Sequence, residues 1–289
     1  MKNSSLVENE IAMKRITIIL LLCLVGCTIC LDASGQAQIT TRKEKLKDMT
    51  TRITKVVVPG DDMMAEAIKE SVSMEWTLSP FEFCTPAEFD ALKTNPAHYF
   101  LLLAEKDGIR SLAFVKGGPE AAQGVDAMLL VTSFPLADAQ TPSGREFIVM
   151  PAVIHIIQDL AGGLIRSEFK AYAKLSKYNR NLPKLRTKTL HIDREDIASS
   201  VGRKVLDELD EDILVEDEEA VNEAFTQAVY NGIISFVVAP AEPVSGAPCY
   251  KMLIGTDDHQ LYYIQKHKIT ARKGRGFLAG DLKKIRKVR

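Results

Sequence analysis

The sequence predicts an α/β (mixed α+β) fold made of two related halves, each a strand, a helix, a second strand and a hairpin joined in a mixed sheet. Two observations support this prediction. The stretch Asp212–Lys268 follows that order clearly. A looser copy of its helix and hairpin occurs about 155 residues earlier, a spacing too wide for a solenoid array and typical of two related halves.

The clearer copy begins with the apolar run Ile213–Val215 and an acidic cluster, which suits the positive end of a helix dipole. Apolar residues at helical spacing then run from Ala220 to Val229. Asn231-Gly232 is predicted to close this helix, because both residues accept a left-handed backbone. A strand follows at Ile233–Ala239, and the turn Gly255–His259 separates two further apolar runs as a hairpin.

The looser copy has a helical stripe from Met63 to Val72. Two strands follow, at Tyr99–Ala104 and Ile109–Val115. Asp107-Gly108 joins them, and this dipeptide between apolar runs indicates a tight hairpin because both residues tolerate positive φ.

A strongly apolar helix is predicted from Gly144 to about Ala161, after a capping box formed by Ser143 and Glu146. Its apolar residues cover most of its surface, which is typical of a helix buried in a core. A membrane hairpin is the alternative, but His155, Asp159 and Pro151 disfavour it.

The amino terminus has the pattern of a secretory signal peptide over residues 1–37. Lys14-Arg15 precedes an apolar run, Ile16–Leu31, that is short for a membrane span. Small residues then predict cleavage between Ala37 and Gln38. The alternative is a lipobox at Leu24–Cys27, which would leave a lipidated Cys27 on a membrane surface.

The predicted organisation after the signal has three parts. Residues 38–55 are polar and basic and are expected to form a flexible lead-in. The first α/β half spans residues 56–180, and the second spans residues 181–289 and ends in a basic tail. Cys84 and Cys249 are the only cysteines outside the signal, and they form either one bridge or two separately buried thiols.

Candidate catalytic residues are few. His155 and Asp159 stand four positions apart on the apolar helix, where a satisfied core pair is the simpler interpretation. His191 lies on a predicted strand with Asp193 on the same face. The chain contains no G-x-S-x-G, HExxH or phosphate-binding loop, so no cofactor or metal is predicted.

The charge is unevenly distributed. Asp193–Glu223 contains 13 acidic residues and three basic ones, whereas Arg272–Arg289 contains eight basic residues and one acidic one. We expect the tail to fold back as a helix from about Gly280 onto the acidic face of its own half. The alternative is a free arm that contacts an anionic partner through its basic side chains: Lys283, Lys284, Arg286, Lys287 and Arg289.

The segments EWTLSPFEFCTPAEF and CYKMLIGTDDHQLYYIQKHKI, behind a signal ending in SGQAQ, resemble uncharacterised exported α/β proteins of Bacteroidetes. The order of strands and helices is also similar, at the level of fold, to the amino-terminal domain of TolB and to the curli-secretion lipoprotein. These resemblances imply export and an α/β layout but no catalytic motif.

Together these features predict an exported, non-catalytic protein of the periplasm or envelope that binds or scaffolds another component, with no transmembrane helix in the mature chain. Export disfavours nucleic acid as a partner. The alternative is a hydrolase whose site is assembled from distant residues, with His155, Asp159 or His191 as candidates. A deep pocket converging on His155 favours the enzyme, and a shallow groove between the halves favours binding.

Overall fold

The computed structural model describes residues 44–60, 62–166 and 175–289. It divides into two units, Met1–Lys47 and Asp48–Arg289. In the first unit Lys47 forms an ion pair with Glu44. The predicted signal, its cleavage site at Ala37 and Gln38, and the alternative lipid site Cys27 lie outside the described residues.

The first sheet of the second unit has five strands in the order β2-β1-β3-β4-β5. Strand β1 runs parallel to both of its neighbours, and the remaining pairs are antiparallel. Helix α1 (Met63–Glu75) connects β1 to β2, and α2 (Pro86–Leu92) connects β2 to β3. The strands are β1 (Thr54–Val57), β2 (Phe81–Cys84), β3 (Tyr99–Lys106), β4 (Ile109–Lys116) and β5 (Leu129–Asp138).

The second sheet has the order β7-β6-β8-β9-β10, which is the order of the first sheet strand for strand. Helix α5 (Arg203–Asp207) connects β6 to β7, and α6 (Glu218–Thr226) connects β7 to β8. The strands are β6 (Thr189–Asp193), β7 (Ile213–Glu216), β8 (Gly232–Val238), β9 (Pro248–Gly255) and β10 (Leu261–Lys268). The prediction of a mixed α/β fold in two related halves is therefore confirmed.

The strand register shows which residues correspond between the halves. Thr54 pairs with Phe81 and Tyr99, whereas Leu190 pairs with Ile213 and Ile233. By this register α6 corresponds to α2, because each follows the edge strand of its sheet directly. The sequence comparison matched the helix at Ala220–Val229 with the one at Met63–Val72, and that match was wrong.

Local chemistry explains several of these elements. The Thr85 side chain accepts a hydrogen bond from the Glu88 backbone N–H, and the Glu88 carboxylate accepts one from the Thr85 backbone N–H, so α2 starts with a capping box. Asp107 and Gly108 both have positive φ, 53° and 75°, as the predicted β3–β4 hairpin requires. His259 has a φ of 52° in the β9–β10 turn, a conformation that few residues other than glycine adopt.

The apolar helix of the first half is buried, as predicted. It consists of a short helix α3 (Arg145–Ile148) followed by α4 (Met150–Arg166), and Ile154 is fully buried. The capping box differs from the prediction, since the Ser143 hydroxyl accepts from the Arg145 N–H and not from Glu146. Among the described residues, no helix has the length and apolarity needed to cross a membrane.

A 3-10 helix, Leu175–Thr187, leads into the second half. The Asn179 side chain donates to the carbonyl of Ile264 and accepts from its N–H, so this helix is bound to β10. The final helix, α7 (Ala279–Val288), buries Leu282 and Ile285 in the core of the same half.

Candidate functional site

A carboxylate and two imidazoles meet where the halves join, and we call Glu75, His155 and His259 the seam cluster. Glu75 is the last residue of α1, His155 lies on α4, and His259 lies in the β9–β10 turn. The His259 Nδ1 is 3.1 Å from Glu75 Oε1, and the His155 Nδ1 is 3.5 Å from Glu75 Oε2. One carboxylate of the first half therefore contacts a histidine from each half.

The surrounding residues hold this cluster in place. The Gln158 amide on α4 donates to the Glu75 carbonyl at 2.7 Å and accepts from the Thr77 N–H at 2.9 Å. Phe225 of α6 stacks on the His259 ring, with 5.5 Å between ring centroids. The end of α1 and the His259 ring are thus fixed by side chains from both halves.

Beside the cluster lies an open groove of about 400 Å³, the seam groove. The carboxylate of Asp159 forms ion pairs with Arg166 and Arg180. Asn181 is fixed because its amide donates to the Leu261 carbonyl at 3.0 Å. The Lys184 ammonium forms no ion pair or hydrogen bond with the other described residues. The groove is lined by His155, Asp159, Arg180, Asn181, Lys184 and Gln260.

The structure places His155 and Asp159 together in this groove, so the sequence correctly grouped them. The core-pair interpretation was wrong, because their side chains are 34% and 39% exposed and each pairs with a different residue. His191 is separate from them. Its Nδ1 lies 2.8 Å from Glu216 on the neighbouring strand β7.

Sequence reasoning missed Glu75 and His259 as site residues. The separation is 184 positions between Glu75 and His259, and no short motif spans such a distance. One signal was present, since a histidine in a turn that requires positive φ is uncommon.

A second polar network is buried away from water. Arg145 of α3 places its Nη1 3.0 Å from Asp193 and 3.2 Å from Asp196, and its Nη2 donates to the Ser235 carbonyl. Its side chain is only 5% exposed. Burial raises the pKa of Asp193, and hydrogen bonding from Glu195 and the charge of Arg145 partly oppose that rise. This network joins a helix of the first half to the sheet of the second.

The described residues offer little for nucleophilic or metal chemistry. Cys84 and Cys249 are both free and buried, which confirms the interpretation of two separate thiols. Burial raises the pKa of each thiol, so little of the reactive thiolate forms near neutral pH. Within those residues, no three His, Cys, Asp or Glu side chains are grouped so as to hold a metal ion.

The basic tail folds back onto its own half, as the sequence predicted. Arg286 of α7 forms an ion pair with Glu208 at 3.0 Å, and Arg289 pairs with Asp212. Lys284 lies over the ring of Tyr263. The side chains of Lys283 and Lys287 are exposed, and their contact with an anionic partner stays a prediction.

Comparisons with known proteins do not assign a function to this site. No family model matches the chain, and no curated protein or solved structure matches it either.

Proposed function

We propose that the protein is an exported, non-catalytic binding module of the cell envelope, whose ligand occupies the seam groove. The observation that carries this proposal is the form of the groove. It is open, it lies between the halves, and its side chains are polar and partly exposed. Such a groove suits reversible binding better than chemistry that requires water to be excluded.

The side chains of the groove indicate the class of ligand. Arg180 and Lys184 supply positive charge, His155 supplies an imidazole, and Asp159 supplies the only carboxylate among the residues that line the groove. Asn181 and Gln260 add amide groups that can bind hydroxyls. A small anionic molecule with several hydroxyl groups, such as an acidic saccharide, complements this arrangement.

Calorimetric titration with glucuronic acid tests the proposal, with glucose as the neutral comparison. We expect glucuronic acid to bind and the Lys184→Ala variant to bind at least tenfold more weakly. Arg186→Ala is the matched control, because Arg186 is exposed on the same 3-10 helix but does not line the groove. Equal binding by the wild type and Lys184→Ala, or binding of glucose with the same affinity, would contradict the proposal.

The seam cluster favours a second candidate function, hydrolysis. A carboxylate that orients an imidazole is the arrangement used for general-base catalysis. Among the described residues, however, no serine, threonine or cysteine side chain hydrogen-bonds to His155 or His259, so an attacking water would be required. Release of product from p-nitrophenyl acetate tests this candidate. Loss of turnover in a folded Glu75→Gln variant would favour hydrolysis over binding.

A further inference from the structure

One side of helix α1 presents an unusual surface to solvent. Met64, Ile68 and Val72 point into the core, as the apolar stripe predicted, but Met63, which the same predicted stripe included, does not. Met63 and Met74 instead lie on the opposite side, 71% and 60% exposed. Together with the residues between them they form what we call the α1 face: Met63, Glu66, Ala67, Glu70 and Met74.

A groove of about 740 Å³ runs along this face. Its far wall is Phe147 of α3 and Pro151 of α4, which are only partly buried. The groove therefore has apolar side chains on both walls. Exposed apolar residues that are grouped and bordered by polar ones mark interaction surfaces more often than singly scattered ones do.

Methionine suits a surface that must fit a partner. Its unbranched, polarisable side chain adjusts to irregular apolar partners, and methionine is common at protein-binding grooves. Two exposed methionines at opposite ends of one helix face therefore give this groove an adaptable apolar lining.

The charge of the groove limits the partner further. Asp62 caps α1 and Glu66 forms an ion pair with Lys69 at 2.9 Å. No hydrogen bond or ion pair reaches Glu70 from the part of the chain that the structure describes. Three carboxylates line the groove, and among the described residues Lys69 is the cation that pairs with one of them, so the surface complements positive charge.

We propose that the α1 groove binds a basic amphipathic helix of a partner protein, with apolar residues at helical spacing on one face and lysine or arginine beside them. Apolar side chains of the partner would contact Met63, Met74 and Phe147, and its cations would lie beside Glu66 and Glu70. This is the helix-in-groove form of peptide recognition. The proposal does not depend on a ligand in the seam groove, because the two grooves share no lining residue.

The probe is a fluorescent amphipathic helix of leucine and lysine, and its control replaces every lysine with glutamate. Fluorescence anisotropy on the full chain measures binding. We expect the lysine peptide to bind with micromolar affinity that weakens as salt rises, and the glutamate peptide not to bind. Two double variants, Met63→Ser/Met74→Ser and Glu66→Lys/Glu70→Lys, are each expected to weaken binding at least tenfold.

Matched controls remove similar groups from other surfaces. Tyr230→Ser/Val244→Ser deletes two exposed apolar side chains elsewhere, and Glu219→Lys reverses a charge on α6. Both controls should bind the peptide as the wild type does. Equal weakening by the control and groove variants would overturn the proposal. So would concentration-dependent dimers that the groove variants abolish without any peptide binding, because a second copy of this chain would then be the occupant.

Discussion

Arg145 joins the two halves through a buried polar network. Its guanidinium, buried between Asp193 and Asp196, also donates to the backbone of β8. A buried charge group of this kind adds little net stability in total. Removing one member is costly, however, because the remaining charges have no compensation.

We therefore expect Arg145→Met to lower the free energy of unfolding by about 3–5 kcal/mol, since it leaves two buried carboxylates unpaired. Urea denaturation at pH 7 measures the change. Arg203→Met is the control, because the Arg203–Asp207 pair is exposed and should change stability by about 1 kcal/mol or less. Equal losses in the two variants would show that the buried network is not the stronger contact.

Asp48 gives a pH-dependent prediction. Burial opposes its ionisation, but hydrogen bonds from Lys116, Tyr99 and Arg52 outweigh burial and lower its pKa from 3.8 to about 2. A carboxylate with a depressed pKa in the folded state stabilises the fold above the unfolded pKa, and this stabilisation is lost as pH falls through the folded pKa.

The Asp48→Asn variant should therefore be less stable than the wild type at pH 5, and the difference should shrink as pH falls from about 4 to about 2. Unfolding free energies across pH 2–5 measure this. A difference that stays constant over that range would mean that ionisation of Asp48 contributes nothing.

Neither residue could be identified from the sequence. The partners of Arg145 lie 48, 51 and 90 positions away, and those of Asp48 on β3 and β4 lie 51 and 68 positions away. Sequence patterns report local periodicity, whereas these contacts depend on how the strands are ordered. His155 and Asp159 were found because four positions on one helix form a local pattern.

At the scale of elements, apolar periodicity was the most reliable signal. Apolar periodicity predicted the burial of α4, and turn residues between apolar runs predicted the two hairpins, because all of these depend on short-range patterns. It failed for α6, which ends at Thr226 and not near Asn231, since Ala228 already adopts a positive φ of 47°. Apolar periodicity also matched α6 with α1, which do not correspond. The true counterpart of α1 is α5, which has only five residues where α1 has 13.

The docked tail is the element whose removal should matter most. Deleting Gly280–Arg289 would expose the core that Leu282 and Ile285 cover and would leave Lys251 and Tyr263 without Asp281, which contacts both. We expect a lower melting temperature and faster proteolysis of the second half, with no ligand present.

Lys283→Asp/Lys287→Asp is the control for that deletion, since both side chains are exposed. It should leave the melting temperature nearly unchanged. An unchanged melting temperature in the deletion itself, with loss of salt-sensitive binding to anionic vesicles, would favour a free arm over a docked helix.

At the scale of the molecule, the two halves have the same strand order but are joined by contacts that are not repeated. Beyond Arg145 and the seam cluster, the Ala241 N–H donates to Asp138 at 2.8 Å. The halves therefore share a topology, whereas the residues that join them differ from one half to the other. For that reason a repeat visible in the sequence did not reveal the groove between its copies.

The predicted signal leads us to expect a mature chain that begins at Gln38. Mass spectrometry of the protein from its native host measures the amino terminus directly. A lipid-modified Cys27 would contradict soluble export and place the protein on a membrane surface.

We propose above all that the seam groove binds an anionic ligand and leaves it unchanged. Nuclear magnetic resonance of the histidine side chains during titration with glucuronic acid phosphate, an acidic and hydrolysable ligand, tests both parts. We expect saturable shifts of the His155 resonances, little change at His98, which does not line the groove, and intact ligand afterwards. Release of phosphate that stops in the Glu75→Gln variant, or no shift at His155, would contradict it.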